Sequence, residues 1–258
     1  MDLLPYLDFI SDIAYRAGRI TLGYFNAGVR PDYKADDTPV TAADRAAEIF
    51  IRGELEKNFP THAILGEEYG ETGSKGSSMR WIIDPIDGTK SFMRGIPLYA
   101  VLIGLEIDGV VKVGAAYYPG TDEMLCASEG GGAWWNGRRA HVSDVSSMAR
   151  AWVCFTNTRN MSKHGRAEAW ERVNACAYAA RGWSDAYGYL AVATGRAEAM
   201  LDPIMAIWDC GPFPVILKEA GGYFGSWDGR DGHLYQEALA CNLALLPEIL
   251  RLVKGDGS

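Results

Sequence analysis

The chain has 258 residues, of which 48% are hydrophobic and 22% charged, so it is long enough to bury a substantial core. Its formal net charge of −8 argues against a nucleic-acid or anionic-membrane surface, since neither would be attracted to it. The five cysteines form no C-x-x-C pair and have no accompanying histidine spacing. This favours reduced, buried thiols in a cytoplasmic protein over disulfides or zinc. The N-terminus resembles no signal peptide, and no apolar run is long enough to span a bilayer.

The first third of the chain is predicted to hold two helices and a short strand. Apolar residues at helical spacing predict a long amphipathic helix over residues 3–25, followed by a loop or loose hairpin over 26–39. Thr41 is predicted to cap a second helix that runs to about Lys57, with Asp44 in its first turn. Residues 63–66 form a predicted buried strand that ends at Glu67 and Glu68, and residues 70–79 a flexible connector.

The stretch 79–97 combines a buried strand with an acidic turn. Its apolar run ends at Asp84, and because Pro85 and Gly88 shape the turn, Asp84, Asp87 and Thr89 are expected to converge. Carboxylates this close repel one another unless a cation lies between them, and oxygen ligands suit Mg²⁺. A helix that opens at Thr89 would receive an anion at its free N–H groups. The stretch therefore predicts a metal beside a phosphate, although a plain strand-to-helix turn with an Asx cap uses the same residue types.

The rest of the chain alternates strands with helices. Tight turns at Asp108-Gly109 and Pro119-Gly120 join antiparallel strands, and Asn136-Gly137 is a further turn. The pattern predicts a layered α/β sandwich of two lobes, about 1–145 and about 146–258, with the carboxylates at their junction. Predicted strands cover 98–107, 110–118, 123–128, 151–155, 179–181, 199–201 and 238–241, and predicted helices cover 167–177, 184–194, 207–220 and a last segment to about 253.

Motifs spread over nearly the whole chain resemble the inositol monophosphatase family, a magnesium-dependent and lithium-sensitive family of phosphomonoesterases. Four carboxylates at strand or helix ends carry the resemblance: Glu67, Asp84, Asp87 and Asp209. The matching stretches are Thr-Ala-Ala-Asp at 41–44, Gly-Glu-Glu at 66–68, Trp-Ile-Ile-Asp-Pro-Ile-Asp-Gly-Thr at 81–89, Gly-Arg-Ala-Glu at 195–198, and Trp-Asp followed by Glu-Ala-Gly-Gly within 208–222.

The resemblance implies an αβαβα sandwich, a homodimer and a cluster of two or three Mg²⁺ ions. It implies that Glu67, Asp84 and the Ile86 carbonyl bind the first ion, that Asp84, Asp87 and Asp209 bind the second, and that Glu67 reaches a third. Glu67 and Asp87 are thereby part of the catalytic set, together with Thr89 and Asp44, which orient and deprotonate the attacking water. The N–H groups of Gly88 and Thr89 would cradle the phosphate, and Glu68 would orient the ligands.

Two other classes use similar acidic turns and do not fit. Haloacid-dehalogenase enzymes carry Asp-x-Asp with a covalent aspartate nucleophile, whereas this chain has Asp-Pro-Ile-Asp at 84–87, which indicates a water nucleophile. The calcium EF-hand pattern is also excluded, because no Asp-x-Asp precedes the glycine and no glutamate closes a twelve-residue loop.

The substrate class is predicted from residues outside the metal cluster. The stretch 181–189, with Arg181 and Asp185, together with 90–95 and with 202–205, which begins at Asp202, looks like the histidinol-phosphate phosphatase branch. The carboxylates of Asp185 and Asp202 would complement the ammonium and imidazole of histidinol phosphate. Asp185 has a plainer alternative as a helix cap or as the ion-pair partner of Arg181.

The predicted activity is therefore Mg²⁺-dependent hydrolysis of L-histidinol phosphate to L-histidinol and phosphate, in histidine biosynthesis. The predicted substrate-binding residues are Asp87, Gly88, Thr89, Arg181, Asp185, Asp202 and Asp209. The alternative substrate is inositol-1-phosphate or another small sugar or nucleotide phosphate. Some relatives of this family bind RNA or transcription machinery, a role that the acidic balance disfavours here. The four histidines are predicted to be surface or core residues rather than ligands.

Overall fold

A computed structural model describes residues 1–28, 31–33, 39–74, 76–183 and 185–255. Among these residues, no helix is long and apolar enough to cross a membrane. The elements in chain order are α1 (Leu4–Tyr24), β1 (Asp32–Tyr33), β2 (Pro39–Val40), α2 (Ala42–Asn58), β3 (Ala63–Gly66), β4 (Gly70–Gly73), β5 (Met79–Asp87), α3 (Thr89–Met93), β6 (Ala100–Ile107), β7 (Val110–Tyr118), β8 (Glu123–Ser128), β9 (Gly132–Trp135), β10 (Arg138–Arg139), a 3₁₀ turn (Met148–Arg150), β11 (Trp152–Phe155), α4 (Thr158–Lys163), α5 (Ala167–Cys176), β12 (Ala179–Arg181), α6 (Asp185–Ala193), β13 (Ala199–Asp202), α7 (Ile207–Cys210), α8 (Phe213–Glu219), β14 (Gly222–Gly225), β15 (Ala238–Asn242) and α9 (Leu246–Lys254).

Two sheets organise the described chain. The larger has eight strands within the described residues, in the order β10-β9-β8-β7-β6-β5-β3-β4, and the smaller has five, in the order β12-β11-β13-β15-β14. In the larger sheet, β5 lies parallel to β3 and antiparallel to β6. The chain therefore leaves β3 and β5 at the same edge of the sheet, which brings the residues after them together.

Among the described residues, three large hydrophobic cores lie between five layers, and a fourth, small cluster joins Ala43, Ile86, Phe92 and Tyr99. On β6, Ile103 packs with α1 and α2, whereas the adjacent Leu102 packs on the opposite face with α6 and α8. This alternation is the two-residue period of a strand that is buried on both faces. The third core joins the outer face of the small sheet to α5 and α9. The order helix, sheet, helix, sheet, helix confirms the predicted αβαβα sandwich.

Two of the predicted hairpin turns have a left-handed backbone at both central residues. Asp108 and Gly109 have φ values of 53° and 80°, and Asn136 and Gly137 have 46° and 74°. Positive φ at both central residues is the geometry that Asn-Gly and Asp-Gly favour between antiparallel strands. The boundary predicted near residue 145 falls between β10 and β11, and the division into two lobes stays a prediction.

Several predictions of local structure were wrong or incomplete. Residues 70–79 are not simply a connector, because 70–73 form β4 on the edge of the large sheet, where all four residues are exposed and give no apolar signal. Strand β14 follows the Gly221 turn, and α4 precedes α5; both were missed. Cys176 is exposed and Cys126 is half-buried, whereas all five cysteines were predicted to be buried. The predicted start of α6 at 184 lies outside the described residues.

The helix predicted over 207–220 is broken into α7 and α8. A Cβ atom at Gly104 of β6 would overlap the Gly211 carbonyl group, so the backbones of the strand and the break are in direct contact. Pro212 supplies no N–H group at this point, and Pro214 occupies the first turn of α8. The break ends α7 just after Asp209, so this contact helps to fix the position of that carboxylate.

We expect Gly104→Ala to lower the free energy of unfolding by about 1–3 kcal/mol, because the added methyl group must displace backbone. Gly23→Ala is the matched control, since no atom lies within 4 Å of a Cβ there and α1 is a regular helix. The control is expected to be neutral or stabilising by up to about 1 kcal/mol. Urea denaturation of both variants measures the difference, and equal stability would contradict the role given to the close contact.

Candidate active site

Three acidic side chains from two distant segments meet at the junction of the layers. Asp84, Asp87 and Asp209 each offer a carboxylate oxygen, and these oxygens all lie within 4.8 Å of one another. Asp84 and Asp87 belong to the end of β5, where the pairing with β6 shifts in register. Asp209 lies in α7, and its carboxylate accepts the Ala206 N–H at 2.8 Å.

The end of β5 is shaped by its own side chains. Oδ1 of Asp84 accepts the backbone N–H of Ile86 at 3.0 Å, which closes the turn around Pro85. Gly88 has φ of 88°, in the left-handed region, and begins α3. Oγ1 of Thr89 then lies 3.1 Å from the Ile86 carbonyl oxygen. The convergence predicted for Asp84, Asp87 and Thr89 therefore has a local cause.

Glu67 approaches the same place from the neighbouring strand. Gly66 of β3 pairs in parallel with Ile83 of β5, and the Glu67 N–H donates to the Ile83 carbonyl oxygen at 3.2 Å. The Glu67 side chain is hydrogen-bonded to that of Asp84. The backbone N–H of Glu68, the next residue, donates a hydrogen bond to Glu48 Oε2 at 2.8 Å.

The cluster is electrostatically unfavourable as a set of bare carboxylates. Burial raises the pKa of Asp84, and the nearby Glu67, Asp87 and Asp209 raise it further. Burial and the charge of Asp185 raise the pKa of Asp87. Burial raises the pKa of Asp209 to about 7, although the Ala206 N–H opposes the shift. All four side chains supply hard oxygen donors, so the set fits Mg²⁺ rather than a metal that prefers nitrogen or sulfur.

Thr89 and Asp44 lie in hydrogen-bond contact. Thr89 Oγ1 is 3.3 Å from Asp44 Oδ1, while Asp44 Oδ2 accepts the N–H of Thr41 at 2.7 Å. Thr41 caps α2 and Asp44 lies in its first turn, as predicted, and the structure adds that the two residues form a capping box. Burial raises the pKa of Asp44, and its hydrogen bonds to Thr41 oppose this shift. One oxygen of Asp44 therefore serves the helix cap and the other faces Thr89.

Asp185 lies beside the cluster. A Cβ atom built on Gly88 would be 3.1 Å from Asp185 Oδ2, and the N–H of Ala186 donates to Asp87 Oδ2 at 2.5 Å. The start of α6 is thus joined directly to the end of β5. Asp185 lies in the first turn of α6, and its charge raises the pKa of Asp87, Asp202 and Asp209.

The other two residues predicted to bind substrate have different surroundings. Asp202 is only 3% exposed, and its carboxylate accepts hydrogen bonds from Tyr189, at 2.8 Å, and from Thr156. Burial raises its pKa to about 7. Arg181 is exposed on the edge strand β12, where its guanidinium stacks 4.8 Å above the Trp152 ring. The structure thus places Asp185 beside the cluster, whereas Asp202 is buried.

A buried ion pair on α2 holds the turn that carries Glu67, and sequence reasoning missed it. Glu48 is fully buried, and its carboxylate accepts N–H groups of Glu68 and Tyr69 at 2.8 and 3.3 Å. Arg52 Nε donates to Glu48 at 2.8 Å, and Arg52 also bonds Gly70 and Thr72 of β4. The available signal was the spacing of charged residues 44, 48 and 52, which places them on one face of the helix.

The family model described as the inositol monophosphatase family matches residues 2–255. The chain belongs to this family. The chain is 40% identical to the histidinol-phosphatase of Chlorobaculum parvum over 238 residues, which cover 92% of each protein. It is 34% identical to the inositol-1-monophosphatase of Rhizobium meliloti over 218 residues, which cover 83% of this chain and 82% of that protein. The crystal structure of extragenic suppressor protein suhB from Bartonella henselae has a TM-score of 0.91 and 28% identity, covering 98% of this chain and 100% of that one.

Membership of the inositol monophosphatase family confirms the predicted family and fold. It also confirms the enzyme class, phosphoric monoester hydrolase. The family is Mg²⁺-dependent in general, and the acidic cluster of Asp84, Asp87 and Asp209 is consistent with that requirement. The functions assigned to individual site residues stay predictions.

We expect Glu48→Gln to weaken Mg²⁺ binding about 3- to 10-fold and to lower the free energy of unfolding by about 1–3 kcal/mol, because Arg52 loses its buried partner. Glu54→Gln on the same helix is the matched control, since Glu54 forms an outer ion pair with Arg16. The control is expected to change stability by less than about 0.5 kcal/mol. Calorimetric Mg²⁺ titration and urea denaturation measure the two effects, and unchanged Mg²⁺ affinity in Glu48→Gln would contradict the positioning role.

The metal-free protein is expected to lose stability as the pH rises from about 5 to 8. Asp209 and Asp202 have pKa values of about 7 in the folded protein, above those of an unfolded chain, so the folded state binds more protons between these limits. Mg²⁺ at the cluster of Asp84, Asp87 and Asp209 would replace protons of that cluster, so it should raise the melting temperature more at pH 8 than at pH 5. Thermal melts with Mg²⁺ and with EDTA test this, and an equal rise at both pH values would be inconsistent with it.

Proposed function

We propose that this member of the inositol monophosphatase family hydrolyses L-histidinol phosphate to L-histidinol and phosphate with Mg²⁺ as cofactor. The observation that carries the substrate assignment is the position of Asp185, a fifth carboxylate immediately beside Gly88 and Asp87. A neutral substrate gains nothing from this charge, whereas the ammonium group of histidinol phosphate would be stabilised by it. The similarity to the protein named histidinol-phosphatase supports the same substrate.

The proposed metal ligands are Glu67, Asp84, Asp87, Asp209 and the carbonyl oxygen of Ile86, for two or three ions. Mg²⁺ bound there would supply positive charge to the phosphoryl oxygens and lower the pKa of water. Because the pKa values of Asp84, Asp87 and Asp209 are raised, a bound cation would stabilise the ionised form of these carboxylates. Glu68 would act through its backbone, by keeping Glu67 in place.

Thr89 and Asp44 are proposed to orient the attacking water and remove its proton. The Thr89 hydroxyl lies between the Ile86 carbonyl oxygen and Asp44 Oδ1, so its own proton can pass to Asp44 as it accepts one from water. The raised pKa of Asp44 makes its carboxylate a stronger base than an ordinary aspartate. The N–H groups of Gly88 and Thr89, at the start of α3, are proposed to bind the phosphate oxygens.

The remaining substrate contacts are proposed around the start of α6. Asp185 would face the ammonium group, and Arg181 would lie at the rim of the pocket, on the neighbouring edge strand. Asp202 is proposed to act indirectly. Its carboxylate accepts a hydrogen bond from Tyr189 of α6 and so helps to position the helix that begins with Asp185. A role in histidine biosynthesis would place the enzyme in the cytoplasm, and a homodimer is proposed as its assembly.

Inositol-1-phosphate hydrolysis is the second candidate, and the similarity to the protein named inositol-1-monophosphatase favours it. The two candidates use the same metal cluster and the same water. They differ in whether the charge of Asp185 is needed, so a comparison of the two esters separates them.

We expect kcat/KM for L-histidinol phosphate to exceed that for inositol-1-phosphate by at least about 10-fold. Asp185→Asn should lower kcat/KM for histidinol phosphate about 10- to 100-fold, as expected for one charged hydrogen bond, and affect inositol phosphate far less. Asp12→Asn on the exposed face of α1 is the control and should change neither value. Mg²⁺ titration of each variant separates substrate effects from metal effects. Preference for inositol phosphate, or equal losses on both esters in Asp185→Asn, would favour the alternative.

A further inference from the structure

A second cavity lies away from the carboxylate cluster. It has a volume of about 460 Å³, and its walls come from the β6–β7 hairpin, α8, β14 and the segment 231–235. None of the proposed metal ligands lines it. Glu106 of β6 contacts the wall residue His233 and pairs with Arg80 of β5, whereas Asp84 pairs with Leu102, four residues along the same strand. Four residues span about 13 Å of strand, so the cavity and the cluster lie at opposite ends of β5 and β6.

His233 forms part of the cavity wall and has an unusual partner. The residue is 5% exposed, and its Nε2 lies 2.9 Å from Glu106 Oε2. Arg80 Nη2 is 3.0 Å from the same carboxylate. The hydrogen bond from His233 and the charge of Arg80 hold the pKa of Glu106 below its usual value, so the carboxylate is ionised and can only accept. His233 Nε2 therefore carries the proton of this hydrogen bond.

The other ring nitrogen of His233 is available to a ligand. In the neutral ring, a proton on Nε2 leaves Nδ1 as an acceptor. Nδ1 has no hydrogen-bond partner among the residues that the structure describes, and it is not sealed off from solvent. His233 is a wall residue, so a ligand in the cavity lies beside this ring. With the ring neutral, the wall there offers one hydrogen-bond acceptor.

The buried part of the wall favours an uncharged, apolar ligand body, and the charged wall residue Asp231 is exposed to water. Val111, Val215 and Phe224 are buried wall residues, each at most 5% exposed. Glu129 is paired with Lys112 at 2.5 Å and with Lys218 at 3.7 Å, so these charges compensate one another. Burying an unpaired ammonium or carboxylate group would be costly, whereas a neutral donor is not. A volume of this size lies within the range of small-molecule sites.

We infer that this cavity binds a small neutral aromatic molecule that carries one hydrogen-bond donor, of the phenol or indole class, with the donor directed to His233 Nδ1. The aromatic ring would pack on Val215 and Phe224. This site is separate from the active site, and the inference does not depend on the identity of the phosphate ester.

The test compares p-cresol with toluene, which differ only in the hydroxyl donor, using ligand-detected NMR titrations of the full chain. We expect p-cresol to bind at least about fivefold more tightly than toluene, as expected for one hydrogen bond. His233→Gln keeps an N–H for Glu106 and replaces the Nδ1 acceptor with an amide oxygen at a different position, so the ratio should fall towards one. Saturable p-cresol binding should persist in the presence of Mg²⁺ and excess inorganic phosphate.

A second pair of variants tests the location if His233→Gln fails to fold. Val110 is a wall residue that is 52% exposed at the mouth, and Val110→Trp should weaken p-cresol binding at least about 10-fold. Ile49→Trp adds the same ring to a 59% exposed position on α2 and should leave binding unchanged. Displacement of p-cresol by phosphate, equal binding of the two probes to the wild type, or full affinity in Val110→Trp would overturn the inference. A change of oligomeric state in Val110→Trp, seen by sedimentation, would instead assign the mouth to a contact between subunits and also overturn it.

Discussion

Mutual repulsion among buried carboxylates is the constraint on which the site depends. Asp84, Asp87 and Asp209 lie within 4.8 Å of one another, and burial leaves little water to screen them. Such a group is held together only if the surrounding structure is rigid and if protons or cations offset the charge. The three cores that separate the five layers supply the rigidity. Burial and the neighbouring carboxylates raise the pKa values of all three side chains, so a cation would offset the charge that they share.

Backbone contacts, rather than long side chains, set the positions of these carboxylates. The register shift at the end of β5 turns Asp84 and Asp87 towards one another. The close approach of Gly104 to Gly211 ends α7 beside Asp209. Only Glu67 depends on a side-chain network, in which buried Glu48 holds the backbone of its turn. An aspartate side chain is short, so the position of its oxygens is set by the position of its backbone. Glycine allows the close backbone contacts that fix this position.

Features with a local cause could be predicted from the sequence, and features with a distant cause could not. Thr41 caps α2 with Asp44, and Asp108-Gly109 turns between strands, because each turn is encoded by its own residues. By contrast, β4 has no apolar residue and exists through its pairing with β3 and its bonds to Arg52. The break after Asp209 depends on a glycine about a hundred residues earlier in the chain. Glu48 is charged and helical, and only the assembled structure shows that it is buried. The catalytic motif was therefore more predictable than the groups that position it.

In the proposed function, the position of Asp185 links metal binding to substrate choice. Its charge raises the pKa of Asp87, so it adds to the repulsion that a cation must offset. A neutral ester has no positive charge to compensate the carboxylate of Asp185, so binding it there would be unfavourable. A substrate with an ammonium group supplies a second cation next to the metals and reduces that repulsion when it binds. Metal ions and the substrate cation would then stabilise the same acidic group, so we expect each to bind more tightly in the presence of the other, as coupling between sites is reciprocal.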